Sequence, residues 1–158
     1  RIARSWANPS PELDFQQPAL VRLLPGSDQL ADGDALHATA WTIGSASNRQ
    51  GLRLSGASLR LRKPREAISE PVMPGTLQLP ADGNPILLLA DAQTHGGYPR
   101  IGHAIRADWP LLAQLRPGER VYFVPCTLEQ ATNLWRSQQQ GLARLAIAVT
   151  ISENCQRR

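Results

Sequence analysis

The sequence predicts a mostly β domain, closed as a barrel or stacked as a sandwich, with few helices. Two observations carry this. Thirteen prolines and twelve glycines punctuate the chain every few residues, and both residue types favour turns over long helices. Between them lie runs rich in Leu, Ile and Val that have the length of strands. The expected strands are Ala19 to Leu24, Trp41 to Ser45, Gly51 to Leu54, Thr76 to Leu79, Pro85 to Ala90, Ile101 to Arg106 and Arg120 to Pro125. Many short strands at such spacing suit a barrel or sandwich. Asp82-Gly83, between two of these runs, reads as a tight hairpin turn, because this pair tolerates positive φ angles.

Helices are expected at three places. Asp28 to His37 and Trp109 to Leu115 are short, the second ending at the Pro117-Gly118 turn. A C-terminal helix starts near Thr127, where Thr127 and Gln130 have capping-box spacing. Leu128, Ala131, Leu134, Trp135, Leu142 and Leu145 then recur at helical intervals, an apolar stripe expected to pack on the barrel. Arg1 to Pro18 has three prolines and no periodicity, so it reads as a linker from something upstream. Residues 19 to 150 form the expected domain.

Composition narrows the class. A chain of 158 residues, 42% hydrophobic and 19% charged, fits one globular domain. No apolar run approaches the roughly 20 residues of a membrane span, and the opening residues lack a secretory signal's apolar stretch. Cys126 and Cys155 are too few for a disulfide scaffold or a structural zinc site, so free thiols in a reducing cytoplasm are expected. The formal charge is +4, but basic residues are dispersed among acids, and neither nucleic acid nor membrane is an expected partner. Arg60 to Arg65 is the one basic cluster, read as a solvated loop rather than a phosphate patch.

The densest polar segment is Asp91-Ala92-Gln93-Thr94-His95-Gly96-Gly97-Tyr98-Pro99-Arg100, directly after the apolar run Ile86 to Ala90. A strand ending in such a loop delivers side chains to a rim. Asp91 accepts hydrogen bonds, Gln93 and Thr94 donate and accept, and Gly96-Gly97 lets backbone approach a ligand closely. These are parts of an amide or carboxylate site. A structural loop whose polar groups satisfy one another is an equally open reading. Phosphate cradling is disfavoured, because no Gly-x-x-x-x-Gly-Lys spacing occurs. His37, His95 and His103 lack metal-site spacing, so no metal is expected. No serine sits in a Gly-x-Ser-x-Gly elbow. A second polar stretch, Ser45 to Leu54, carries Arg49 and Arg53, four apart and on one face if the segment is extended. A guanidinium there could bind a carboxylate or phosphoryl group, although pairing with a nearby surface acid is the favoured reading of these residues taken alone.

Three motifs in order carry a family resemblance: Ser47-Asn48-Arg49-x-Gly51-x-Arg53-Leu54, Pro74-Gly75-Thr76-Leu77-Gln78-Leu79-Pro80-x-Asp82-Gly83-x-Pro85, and Asp91-x-Gln93-Thr94-x-Gly96-Gly97-Tyr98-Pro99-Arg100-Ile101. Over roughly Val21 to Gln138 the chain resembles the C-terminal half of the family that comprises the C subunit of 5-oxoprolinase, KipA and allophanate-hydrolase-subunit-2. His95 stands where the pattern has Thr, and Asn84 where it has Gln; both bear on substrate preference. The resemblance implies a cyclophilin-like β-barrel. It implies a part in an ATP-dependent 5-oxoprolinase that opens 5-oxo-L-proline to L-glutamate, with the A subunit and the KipI-like B subunit of that complex as partners. ATP, with Mg, is then held mainly by the complex or by an absent N-terminal half, of which Arg1 to Pro18 is a remnant.

The roles implied are an anion clamp of Arg49 with Asn48, an amide or carboxylate grip by Gln78, Gln93 and Thr94, a wall of Gly97 and Tyr98, and Asp91 to orient or deprotonate water. Two alternatives remain open. One is a regulatory module that binds a KipI-type partner. The other is a carboxyltransferase domain of a urea carboxylase or allophanate-type system; its biotin would come from another polypeptide, since Met73 is the only Met and no Ala-Met-Lys-Met site occurs.

Overall fold

A computed structural model of the chain describes residues 18–63, 66 and 68–156, with side chains to residue 150. The elements in chain order are β1 (Ala19–Pro25), α1 (Ala35–Ala38), β2 (Trp41–Ile43), β3 (Gly51–Ser55), β4 (Glu70–Pro71), β5 (Thr76–Gln78), β6 (Ile86–Leu88), β7 (His95–Gly96), β8 (Arg100–Ala104), a 3₁₀ turn (Arg106–Asp108), α2 (Trp109–Leu112), β9 (Arg120–Pro125) and α3 (Leu128–Gln156). Seven strands close a barrel in the order β1-β8-β5-β6-β3-β2-β9, which selects the barrel over the sandwich. β1 pairs in parallel with β9, from Ala19 opposite Val121 to Leu23 opposite Pro125. The other barrel pairings are antiparallel. β4 and β7 form a separate two-stranded ribbon.

The strand sequences explain the interior. Val21 and Leu23 of β1, Leu52 and Leu54 of β3, Leu77 of β5, Leu87 of β6, and Val121 and Phe123 of β9 alternate inward with period two and share one core with Trp41. Trp41 keeps its indole N–H satisfied, donating to Leu36 O at 3.0 Å. The barrel seam is braced outside the core. Asp108, only 1% exposed, accepts from the Arg22 backbone N–H at 2.8 Å. It also receives the Arg22 guanidinium as a fork, through Nε at 3.2 and 3.1 Å and through Nη2.

Several sequence expectations change. β8 ends at Ala104 rather than Arg106, where the chain enters the 3₁₀ turn. The first expected helix shrinks to Ala35–Ala38 and the second to Trp109–Leu112. Asp82-Gly83 lies within the β5–β6 connection, but the turn is closed by Gly83 N–H donating to Pro80 O at 3.1 Å, and Gly83 alone of the pair has positive φ, at 80°. The two-residue hairpin is therefore replaced by a longer loop. Arg60, Arg62 and Lys63 of the basic cluster are exposed as expected, while Pro64 and Arg65, like residues 1–17 of the expected linker, lie outside the described residues.

The α3 cap is the expected one: Thr127 N–H donates to Gln130 Oε1 at 2.9 Å and Gln130 N–H to Thr127 Oγ1 at 3.2 Å. Its stripe packs only at the start. Ala131 and Leu134 rest on Ile105, Ala107 and Cys126, Trp135 stacks on Arg106, and Gln138 donates to Ala107 O at 3.2 Å. Leu128, at 71%, and Leu142 and Leu145 are exposed. A helix of 29 residues runs about 44 Å at its usual rise, farther than a small barrel can cover.

Removing Asp108 takes the carboxylate from the Arg22 guanidinium and the acceptor from the Arg22 backbone N–H. Asp108→Ala should therefore cost about 3 kcal/mol of unfolding free energy, read from urea midpoints, and a loss below about 1 kcal/mol would show that the pair does not brace the seam.

Candidate functional site

Register places a polar row on the outer wall of the barrel. Gln78 of β5 stands opposite Ile86 of β6, and Ile86 stands opposite Arg53 of β3. Their neighbours Leu77, Leu87, Leu52 and Leu54 point into the core, so period-two alternation turns Gln78, Ile86 and Arg53 outward together. The next row carries Leu88 opposite Gly51. Above this wall sits the β4–β7 ribbon. It is clasped by Arg100, which pairs with Glu70 and donates to Pro71 O at 3.4 Å.

The wall and the loops beside it line a cavity of about 140 Å³, with Asn48, Arg53, Gln78, Gln93 and Tyr98 among its residues. Gln78 is 1% exposed, and its Nε2 has no hydrogen-bond partner among the described residues. Such a group is uncommon in a folded interior and asks for an explanation. Gly96 packs closely over it: a Cβ there would stand 2.8 Å from Gln78 Nε2 and 3.6 Å from Gln93 Nε2. Asn48 serves the turn into β3, its Oδ1 accepting from Gln50 N–H at 2.9 Å and Gly51 N–H at 3.3 Å.

Four of the residues expected at the site thus converge: Asn48, Gln78, Gln93 and Tyr98. Arg49 and Asp91 go elsewhere. They pair at 3.3 Å with side chains 92% and 52% exposed, at the mouth of an adjacent, mostly apolar cavity of about 240 Å³ lined by Leu88, Leu89, Trp109 and Leu112. This is the surface pair favoured by the residues alone. Arg49 lies in a turn before β3 rather than in the strand, so Arg49 and Arg53 line different cavities. Thr94 is outside both linings, its hydroxyl 3.1 Å from His95 Nδ1, and Gly97 is half-buried beside them. Arg53, read from the sequence with Arg49 as a guanidinium able to bind an anion, and Gln50, which was not singled out, join the polar cavity; strand register, which the sequence does not reveal, was the missing signal.

No group of three His, Cys, Asp or Glu among the described residues could hold a metal ion, and no described helix is long and apolar enough to cross a membrane. The polar cavity, at about 140 Å³, is too small to enclose a nucleotide, since pockets for drug-sized ligands start at roughly 300 Å³. His103 lies on the same β8 as Arg100, half-buried, 3.4 Å from Thr76 Oγ1. Burial first, and then the charge of Arg100, hold its pKa below the ordinary 6.5.

Residues 2–125 match the family model described as carboxyltransferase domain, subdomain A and B. The C subunit of 5-oxoprolinase from Escherichia coli (strain K12) is 42% identical over 130 residues, covering 80% of this chain and 42% of the relative. Its counterpart of the same name from Haemophilus influenzae is 43% identical over 99 residues, covering 63% and 32%. The chain therefore spans less than half the length of these relatives. The crystal structure of the Kluyveromyces lactis urea carboxylase superposes with a TM-score of 0.71 at 22% identity, covering 77% of this chain and 12% of that one, a likeness of fold.

A histidine kept neutral by the fold binds its proton more readily once unfolded, so its stabilising contribution is present above the unfolded value and lost as pH falls through the folded one. Stability should accordingly begin to fall as pH drops below the ordinary 6.5 and go on falling until the folded-state value is passed. His103→Gln should flatten part of that decline in urea midpoints; an unchanged slope would show that His103 titrates alike in both states.

Proposed function

The chain belongs to the family of carboxyltransferase domains, subdomains A and B, and we propose that it is the substrate-binding part of an ATP-dependent 5-oxoprolinase complex that opens 5-oxo-L-proline to L-glutamate. One observation carries the reading: Gln78, whose buried Nε2 has no partner among the described residues, lines a small polar cavity together with Asn48, Gln93 and Tyr98. The names of the relatives, both C subunits of 5-oxoprolinase, supply the substrate.

Opening a lactam forms a bond from water oxygen to the carbonyl carbon and breaks the ring C–N bond, the nitrogen leaving with a proton. Negative charge gathers on the carbonyl oxygen, and fixed amide donors such as those of Gln78 and Gln93 stabilise it. Asp91, steadied by Arg49, orients or deprotonates water from the neighbouring cavity. Thr94, Gly97 and Tyr98 shape the approach to the loop. ATP and Mg are assigned to the rest of the assembly, its A subunit and its KipI-like B subunit. The assembly is placed in the cytoplasm.

The family itself favours a second reading, carboxyl transfer involving biotin carried on another polypeptide. Transfer from carboxybiotin, without 5-oxoproline turnover, would select it. Complex formation with a KipI-type partner and no chemistry of either kind would select the regulatory module.

The chain alone should release no glutamate from 5-oxoproline with ATP; mixed with the A and B subunits and the segment that its longer relatives carry, it should. Glutamate release by the chain alone would overturn this division of labour. In the active mixture, Gln93→Ala should abolish turnover while shifting the thermal midpoint by no more than about 1 °C, as expected for an exposed side chain. A midpoint several degrees lower with full activity per folded molecule would make the loop structural.

A further inference from the structure

The polar cavity carries more information than its amides. Its lining includes one charged side chain, Arg53, and no Asp or Glu. Arg49, the other arginine of the same motif, is engaged with Asp91 in the adjacent cavity. Asn48 spends its Oδ1 on Gln50 and Gly51, which leaves its Nδ2 hydrogens as what it can offer a ligand. Gln78 adds a buried Nε2 with no acceptor among the described residues. The lining is therefore positive in charge and without a carboxylate, and its amides and the Tyr98 hydroxyl can both donate and accept. Register sets their spacing. Arg53 and Gln78 flank Ile86 on successive strands, about 10 Å apart at the backbone, and their long side chains can reach a small group between them.

From this we infer that Arg53 and Gln78 form a carboxylate-binding pair, which takes the carboxylate of a small acid across Ile86. The assignment rests on the substrate-binding reading above and deepens it: the feature read first is the acid group rather than the lactam, and Arg53 rather than Arg49 reads it. A guanidinium fork and an amide N–H match the lone pairs of a carboxylate. A neutral lactam offers one carbonyl oxygen and one N–H but no charge, so it leaves the guanidinium without an ionic partner.

The test is an NMR titration of the full chain with 5-oxo-L-proline, with 2-pyrrolidinone, which is the lactam without the carboxylate, and with acetate, which is the carboxylate without the lactam. The Gln78 side-chain amide and the Arg53 Nε–H should shift with 5-oxoproline and with acetate, and 2-pyrrolidinone should bind at least about tenfold more weakly than 5-oxoproline. Arg53→Gln should weaken 5-oxoproline by about tenfold or more and remove the acetate shift. Arg53→Lys, which keeps the charge and loses the fork, should recover only part of the affinity. Unchanged 5-oxoproline affinity in a folded Arg53→Gln protein overturns the assignment, as does a Gln78 amide that no ligand moves. Equal affinity for 2-pyrrolidinone and 5-oxoproline overturns it while leaving the lactam reading standing. Acetate bound through Arg53 as tightly as 5-oxoproline supports the carboxylate pair and sinks the lactam reading.

Discussion

The parallel pairing of β1 with β9 is the constraint on which the rest of the structure depends. β1 holds both ends of the sheet, β9 on one side and β8 on the other, and so joins residues 19–25 to segments about 80 and 100 positions later. Its seam is fastened by backbone and by charge. Cys126 N–H donates to Leu23 O at 2.8 Å, Ile105 N–H to Arg22 O at 3.0 Å, and Arg22 grips Asp108. Burial pushes the Cys126 thiol pKa up against the opposing pull of Arg22, which suits a packing role in this seam. Closure fixes the register of β3, β6 and β5 across the far wall, because a one-residue slip would turn every core leucine outward.

That far wall becomes a site only because something covers it. The β4–β7 ribbon has two residues in each strand, too few to be stable alone. Arg100 secures it from β8 through Glu70 and Pro71, and the Arg100 backbone N–H is itself held by Asp28 at 2.8 Å. Gly96 lets the ribbon settle against the Gln78 amide, which a Cβ there, 2.8 Å from Nε2, would push aside. Gln78 is thus buried by a roof rather than by the core, which is why a polar residue occupies a strand position that is nine-tenths or more enclosed.

How much of this was legible in the sequence follows from the range of each signal. Strands such as Arg120 to Pro125 show in composition and alternation, and the Thr127–Gln130 cap shows because it is local in sequence. The parallel seam and the two-residue strands do not show, since neither leaves a periodicity. The apolar residues of α3 announce a face without saying where the partner surface ends, so the expected packing holds at Leu134 and fails at Leu142. At the site, Asn48, Gln78, Gln93 and Tyr98 of the loop motifs come together around one cavity. The motifs misplaced Arg49 relative to Arg53, because spacing of four implies a common face only in continuous strand, and a turn at Arg49 and Gln50 breaks it.

The two cavities share Leu88 as a wall, and that wall separates two electrostatic settings. On one side Arg49 and Asp91 offset each other in solvent, where screening leaves little net field. On the other, Arg53 faces a cavity without an acid, beside an amide that water scarcely reaches. The second setting is the one able to stabilise new negative charge, because charge–donor interactions strengthen as water is excluded. Yet Gln93 and Tyr98, on its outer edge, remain exposed. Full electrostatic strength therefore calls for a further surface laid over that edge, and under the proposed function the other members of the complex or the segment carried by the longer relatives supply it.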